Sequence, residues 1–195
     1  MNRILVLLVL VLVTNIANCA ELSVSDELYS KKMSLPSLPL VLMDSCVGEK
    51  CLNYEGAWSA LEPVIVYKKR GTKSPIAFKL RKNETFRVLK QLIEIEKYGK
   101  TKILVSATEL NLKKGEVIYE VVPGSEGYSL YWHKDTFFDH SFDFYDDFSN
   151  PKDAKSVSKY AKILSYPQFT EWVKIRNEKG MIGWSINASL DNGQF

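Results

Sequence analysis

Beyond residue 57 the chain alternates short apolar runs with turn-forming or charged residues. The clearest runs are VIVY at 64–67, AFKL at 77–80, TFRVL at 85–89 and VIYEVV at 117–122. Each is rich in β-branched or aromatic residues and ends at charged residues, Gly or Pro, which is typical of β-strands. The pattern therefore predicts a mainly β protein.

Two longer segments predict hairpins. Residues 90–105, KQLIEIEKYGKTKILV, contain alternating apolar positions and a Tyr98-Gly99-Lys100 turn. Their Glu and Lys content favours a helix, but the turn favours two strands. Residues 171–184 alternate up to a turn at 177–180 and return through a second apolar run, which is the pattern of a closing hairpin.

One short helix is predicted at 151–164. Pro151 stands at an early helical position, and a single face then carries Val157, Tyr160, Ala161 and Leu164. The preceding segment, 134–150, interleaves aromatic and aspartate residues. Its aromatic spacing fits an amphipathic helix, and a packed loop fits equally well.

The first twenty residues have the organisation of a signal peptide. Arg3 precedes an apolar run from Ile4 to Val13, and small or polar residues follow up to Ala20. Ten apolar residues are too few for a membrane-spanning helix, which needs about twenty. Residues 16–19 also resemble a bacterial lipobox, which makes Cys19 a candidate lipidation site. The protein is therefore predicted to be extracytoplasmic, either released as a periplasmic or secreted protein or tethered through a lipid, its only predicted membrane contact.

Residues 21–56 are predicted to form an extended lead-in. Pro36 and Pro39 cannot donate hydrogen bonds in a central strand. Cleavage after Ala20 leaves Cys46 and Cys51, and an oxidising compartment favours a disulfide that closes a small loop between them. Two unlinked thiols are the alternative.

Charge is distributed in two blocks. Residues 61–114 contain fourteen Lys or Arg and five acidic residues, a net charge of +9, and residues 115–148 have a net charge of −7. The blocks either attract each other within the molecule or leave the basic block to bind an anionic wall polymer or lipid headgroups. Export and the acidic block argue against nucleic acid as a partner.

Motifs for catalysis are scarce. The sequence lacks the G-x-S-x-G elbow, the phosphate-binding glycine loop and the dinucleotide fingerprint, and no cofactor is predicted. One group of histidine and aspartate side chains could bind a divalent metal ion if the fold brought them together. This group comprises His133, Asp135, Asp139, His140 and Asp143. A solvated acidic face over aromatic packing is the alternative, and an extracytoplasmic metal-dependent enzyme is the corresponding alternative function.

Two blocks of sequence carry a family resemblance. They are ALEPVIVYKKRGTKSPIAFKLRKNETFRVL at 60–89 and EWVKIRNEKGMIGW at 171–184. They resemble the opening strands with their irregular loop, and the closing hairpin, of the bacterial Src-homology-3-like domain, a small barrel found on many exported proteins. The resemblance implies a domain at 57–195 with an insertion near 100–168. Two fused barrels, at about 57–134 and 135–195, are the alternative.

The resemblance also implies a function. Such domains bind cell-wall peptide or another envelope component without catalysis, so the ligand is expected near the irregular loop and the two C-terminal tryptophans. The candidate ligand-binding residues are Tyr67, Lys69, Arg70, Trp172 and Trp184. Packing in the core is the alternative role for the tryptophans. A secreted protein or effector that recognises a protein partner is the alternative function.

Overall fold

The computed structural model describes residues 20–23, 29, 32–45, 56–124, 127–142 and 159–186. This part of the chain is mainly β, as the sequence predicts. Its thirteen strands are β1 Ala20–Ser23, β2 Leu40–Met43, β3 Trp58–Ser59, β4 Val64–Tyr67, β5 Ile76–Leu80, β6 Thr85–Lys97, β7 Gly99–Ile103, β8 Val117–Pro123, β9 Ser129–His133, β10 Thr136–His140, β11 Ala161–Ser165, β12 Gln168–Asn177 and β13 Ile182–Ile186.

The strands form two sheets. The first follows the order β1-β2-β6-β12-β13-β4-β5, with β3 paired to the start of β6, and the second follows the order β10-β9-β8-β7-β11. All pairs are antiparallel except β1 with β2. Each path of described strands ends at two different edge strands, so neither sheet closes into a barrel. The second sheet comes from residues 99–165, between β6 and β12, and the alternative boundary at 134/135 falls in the β9/β10 turn.

The chain passes from the first sheet to the second at Tyr98 and Gly99. Strand β6 pairs with β2 and β12, whereas β7 pairs with β8 and β11. The hairpin predicted for 90–105 is therefore wrong, although both of its strands exist. Gly99 allows the close approach at this point, because a Cβ there would lie 2.8 Å from Cδ of Pro167 and 3.0 Å from Cβ of Glu120.

Period-two alternation places one face of the first sheet in a hydrophobic core. Val64 and Val66 of β4 are buried there with Phe86 of β6 and with Val173 and Ile175 of β12. Successive side chains of a strand point to opposite faces. The residues between these core positions therefore form the other face, which we name the outer face.

The two sheets pack against each other through apolar side chains. Both sheets contribute to this cluster, which includes Leu40, Leu42, Ile93 and Ile95 of the first sheet and Val121, Val122, Leu130 and Phe137 of the second. The chain before β2 lies across the second sheet, where the backbone N–H of Met33 donates to the carbonyl of Asp135 at 2.8 Å. The indole of Trp132 in turn donates to the carbonyl of Met33 at 3.0 Å.

The lead-in predicted for 21–56 therefore contributes structure to the first sheet. Leu40, Val41 and Leu42 of β2 are completely buried. A short continuous apolar run of this kind is typical of a strand that is covered on both faces. Pro36 and Pro39 precede β2, so they remove no hydrogen bond from it.

The helix predicted for 151–164 is wrong in its last residues. Residues 151–158 lie outside the described part, but Ala161–Ser165 form β11, which pairs with β7. Ala161 is buried, whereas Leu164, on the same predicted helical face, is half exposed. Phe138 likewise belongs to strand β10 rather than to a helix. The pairing of both segments with a neighbouring strand outweighs their local helical spacing.

The closing hairpin is confirmed. Strands β12 and β13 pair from Trp172 with Ile186 to Arg176 with Ile182. The turn closes through a hydrogen bond from the N–H of Gly180 to the carbonyl of Asn177. The signal peptide at 1–20, apart from the backbone of Ala20, and Cys19, Cys46 and Cys51 lie outside the described residues. Within the described residues, no helix has the length and apolar character needed to cross a membrane.

Candidate functional site

The outer face of the first sheet combines aromatic and cationic side chains. Along β12, Trp172, Lys174 and Arg176 alternate with the core residues and therefore point to this face. The strand register places Lys174 opposite Trp184 of β13, and Trp184 opposite Tyr67 of β4. One row of the sheet thus brings a cation and two aromatic rings together.

Trp184 is the centre of this row. The Nζ of Lys174 lies 5.8 Å from the centroid of its ring, and the guanidinium carbon of Arg70 lies 5.9 Å from it. Both distances fall within the range of cation–π attraction. Tyr67 and Trp172 meet edge-on, with ring centroids 6.4 Å apart and an interplanar angle of 82°. We name Tyr67, Arg70, Trp172, Lys174 and Trp184 the Trp184 cluster.

The two tryptophans have different positions within this cluster. Trp172 is only 4% exposed and packs with Val41 and Leu92, whereas Trp184 is partly buried at the surface. The sequence predicts Trp172 as a candidate ligand contact, but in the structure it is buried and packs below the exposed part of the cluster. Trp184 is thus the tryptophan of the pair that presents a ring at the surface.

Arg70 follows β4 in the irregular loop. The loop is closed by the N–H of Lys68, which donates to the carbonyl of Pro75 at 2.9 Å, and by a turn at Gly71, whose φ is +110°. The Nη1 atom of Arg70 is buried and has no hydrogen-bond acceptor among the described residues. A buried donor without an acceptor is destabilising by about 1–3 kcal/mol, and more when it is charged. Lys69 is exposed, and its backbone N–H donates to Oγ of Ser74 at 3.0 Å.

Cations also lie opposite one another across β6 and β12. Lys174 is paired in register with Lys90, and Arg176 is paired with Arg87. Like charges directly opposite each other destabilise a sheet. In the described part of the chain, none of these four residues forms an ion pair with an acidic side chain.

Sequence reasoning missed Lys90, Arg87, Lys174 and Arg176 as site residues. The alternation in EWVKIRN at 171–177 contains the signal, because it puts Lys174 and Arg176 on the face of Trp172. Lys90 and Arg87 join this face only through the pairing of β12 with β6, which is long-range and leaves no pattern in the local sequence. The candidate residues Tyr67, Arg70, Trp172 and Trp184 are brought together by the fold, whereas the side chain of Lys69 is not placed in the cluster.

The basic and acidic blocks do not neutralise each other in the described residues. Glu116 forms an ion pair with Lys134, whose Nζ lies 2.5 Å away, and also lies 3.3 Å from Nε2 of His133. All three residues belong to the acidic block. The hydrogen bond from Lys134 is the main cause that lowers the pKa of Glu116.

The His–Asp group does not converge. His133 pairs with Thr136 at one end of the β9/β10 ladder, and His140 pairs with Ser129 at the other end. Asp135 lies in the turn with a φ of +68°, and Asp139 accepts a hydrogen bond of 2.6 Å from the hydroxyl of Tyr29. Asp143 lies outside the described part. No three metal-binding side chains come together within the residues that the structure describes.

His133 has instead a local role in its hairpin. Burial lowers its pKa more than the nearby Glu116 carboxylate raises it. The imidazole therefore favours its neutral form, and its contact with Glu116 links β9 to the chain before β8. This arrangement holds the hairpin in place.

No family model, curated protein or solved structure matches the chain.

Proposed function

We propose that this protein is an exported, non-catalytic binding module that holds an anionic component of the bacterial cell envelope on the Trp184 cluster. One observation carries the proposal: the partly exposed ring of Trp184 has the guanidinium of Arg70 and the ammonium of Lys174 each within about 6 Å of its centroid. Export itself is supported by the signal-peptide pattern of residues 1–20.

The chemistry of the cluster indicates the class of ligand. The planar guanidinium of Arg70 is suited to carboxylate or phosphate oxygens, and Lys174 adds a mobile point charge. The ring of Trp184 offers an apolar face to the sugar or peptide that carries the anion. Peptidoglycan peptide, through its carboxylates, and an anionic wall polymer, through its phosphates, both meet these requirements.

A distant relationship to the Src-homology-3-like domain is part of the proposal. The two blocks that carry the resemblance supply β4, β5, the start of β6, β12 and β13, which are neighbours in the first sheet. The irregular loop after β4 and the closing hairpin provide the Trp184 cluster. The open strand order distinguishes this sheet from a closed barrel.

Cosedimentation with purified cell walls tests the proposed function. The variant Arg70→Gln/Lys174→Gln removes both cations beside Trp184, and we expect it to bind walls at least about tenfold more weakly than the wild type. The matched control is Arg81→Gln/Lys179→Gln, which removes the same charge from two exposed turn positions. Raised salt should weaken the binding of the wild type.

An equal loss of wall binding in both double variants would show that binding depends only on the net charge of the protein, and it would reject a specific site. Full retention by the Arg70→Gln/Lys174→Gln variant would reject the Trp184 cluster. Comparison of complete walls with walls stripped of anionic polymer separates the two ligand classes. Binding that survives stripping favours the peptide, and binding that is lost favours the polymer.

A second candidate function is supported by an apolar surface beside β11. The exposed residues there are Val105, Tyr160, Leu164 and Tyr166. Exposed apolar residues next to a sheet edge are typical of protein–protein contacts. A secreted protein that recognises a protein partner would use this surface, and Leu164→Glu should then abolish capture of that partner while wall binding is retained.

A further inference from the structure

A cavity of about 410 Å³ lies beside the turn of the β12/β13 hairpin. Its wall includes Arg87 of β6 and Arg176 of β12, together with Asn177 and Glu178. Thr85, Phe86 and Gly180 complete the part of the wall formed by the ends of these strands. The volume lies within the range of about 300–1,000 Å³ that is usual for small-molecule sites.

The two arginines are the main charges of this cavity. Arg87 and Arg176 are directly opposite each other in register, both are exposed, and neither has an acidic partner among the described residues. Their mutual repulsion would be relieved by an anion bound between them. Each guanidinium can offer two parallel N–H donors to that anion.

The remaining polar groups are already oriented. Oδ1 of Asn177 accepts a hydrogen bond of 2.9 Å from the N–H of Met181, so the side-chain NH₂ of Asn177 remains as a donor. Glu178 accepts a hydrogen bond from the hydroxyl of Thr85. Its other lone pairs can accept from a hydroxyl group of the ligand.

We propose that this cavity is a binding site for a phosphate group, with Arg87 and Arg176 as its two clamps. The two arginines outweigh the carboxylate of Glu178 and leave the cavity wall with a net charge of +1. The terminal oxygens of a phosphate can accept from both arginines and from Asn177 at once. A carboxylate has only two oxygens and a single charge. The cavity is larger than phosphate alone and leaves space for the group that carries it.

The site adjoins the Trp184 cluster. Arg176 follows Lys174 by two residues on the same face of β12, and a separation of two residues in a strand is about 6.6 Å. A phosphate on the arginine pair and an anion at Lys174 can therefore belong to one extended ligand. The link of this cavity to an envelope ligand rests on the proposed function, but phosphate binding itself does not.

Isothermal titration calorimetry with inorganic phosphate tests the proposal on the mature protein at constant ionic strength. We expect saturable binding by the wild type and a loss of about tenfold or more in Arg87→Gln and in Arg176→Gln. Arg81→Gln, at an exposed turn position, is the charge-matched control and should bind like the wild type. Arg176→Lys should bind phosphate with intermediate affinity, because lysine keeps the positive charge but lacks the two parallel N–H donors of the guanidinium.

Unaltered phosphate binding in both Arg→Gln variants would overturn the proposal, and so would acetate binding as tight as phosphate binding. The thermal unfolding midpoint of each variant without phosphate checks its fold, and an upward shift on adding phosphate gives an independent measure of binding. A shift in the wild type and the control that is absent from both Arg→Gln variants supports the site. Shifts of equal size in all proteins reject it.

The outcome is separable from that of the proposed function. Arg70→Gln/Lys174→Gln should keep phosphate binding in the cavity while it loses binding to walls. Phosphate binding without any wall binding would retain the cavity and reject the proposed function. Wall binding without phosphate binding would retain the proposed function and reject the phosphate site in the cavity.

Discussion

Gly183 faces the backbone of β4 at a distance that leaves no space for a side chain. A Cβ at this position would lie 2.6 Å from the carbonyl oxygen of Tyr67 and 2.7 Å from Cγ1 of Val66. The close approach of β13 to β4 at this point aligns Trp184 with Tyr67. A residue that looks like ordinary turn chemistry in the sequence thus positions the Trp184 cluster.

The variant Gly183→Ala should be less stable than the wild type by about 1–3 kcal/mol, because β4 and β13 must separate to accept the methyl group. Urea unfolding measures the difference. Ile182→Val, at an exposed position of the same strand, should change stability by less than about 0.5 kcal/mol. Equal stability of Gly183→Ala and the wild type would contradict the packing described for this pair of strands.

Glu120 is a buried carboxyl group in the second sheet. Its Oε1 accepts a hydrogen bond of 2.9 Å from the hydroxyl of Ser129, whereas its Oε2 is buried and has no hydrogen-bond partner among the described residues. Burial raises its pKa, and the hydrogen bond from Ser129 only partly offsets this effect. Because the pKa is higher in the folded state, stability from this group is present at low pH and is lost as pH rises through the folded pKa.

Glu120→Gln should therefore unfold at a higher temperature than the wild type at about pH 8, with a gain of about 1–3 kcal/mol, and the gain should disappear near pH 4. Calorimetric scans across this range measure it. Glu116→Gln is the control of opposite sign, because the pKa of Glu116 is lowered and its charged form favours folding. A gain for Glu120→Gln that is independent of pH would contradict this account.

For the secondary-structure elements, the sequence pattern predicted where strands lie better than it predicted which strands pair with each other. VIVY at 64–67 and the hairpin at 171–184 follow from local alternation and turn residues, and both are confirmed. The hairpin predicted for 90–105 is wrong because β7 pairs with β8 and β11 of the other sheet, and Gly99 lies close to Pro167 and Glu120 where the chain changes sheet. Such long-range contacts leave no periodic signal in the sequence.

Some residues of the candidate site follow from the local sequence, and others depend on long-range strand pairing. Tyr67, Arg70 and Trp184 were accessible to prediction because they lie in two local blocks, 60–89 and 171–184, whose strands and turns follow from the sequence pattern. Lys90 was not, because only the pairing of β6 with β12 places it opposite Lys174. The sequence leaves Trp172 as either a ligand contact or a core residue, and its packing against Leu92 and Val41 buries it.

The like-charge pairs of β6 and β12 predict a trade-off between stability and binding. Lys90→Glu replaces a repulsive pair with Lys174 by an attractive one, so the variant should be more stable by about 0.2–1 kcal/mol at low salt. The same change should weaken binding to anionic walls. Lys79→Glu is the control, because Lys79 lies opposite the uncharged Ile65. Urea unfolding at two salt concentrations measures the effect, and a loss of stability in Lys90→Glu would contradict it.

At the scale of the whole molecule, the two sheets share one apolar interface. Leu42 of the first sheet is completely buried in the cluster that also contains Val121 and Phe137 of the second. The chain before β2 is held to the second sheet through Met33. Both sheets should therefore unfold together.

Leu42→Ala should cost about 2–5 kcal/mol because it leaves a cavity between the sheets. Unfolding should still occur in a single transition by circular dichroism and tryptophan fluorescence. Val105→Ala, at an exposed position, serves as the control for a lost apolar side chain. Separate transitions for the two probes would show that the sheets are independent.

The function proposed for the Trp184 cluster requires an anionic envelope ligand to contact Trp184 beside Arg70 and Lys174. The chain has four tryptophans, so ¹H–¹⁵N spectra can follow each indole N–H while soluble wall fragments are added. Trp58 and Trp132 pack in other clusters and serve as internal references. We expect a saturable shift of the Trp184 indole signal that disappears in Arg70→Gln/Lys174→Gln, with Trp58 and Trp132 unchanged. Binding of the fragments without any shift at Trp184 would contradict it.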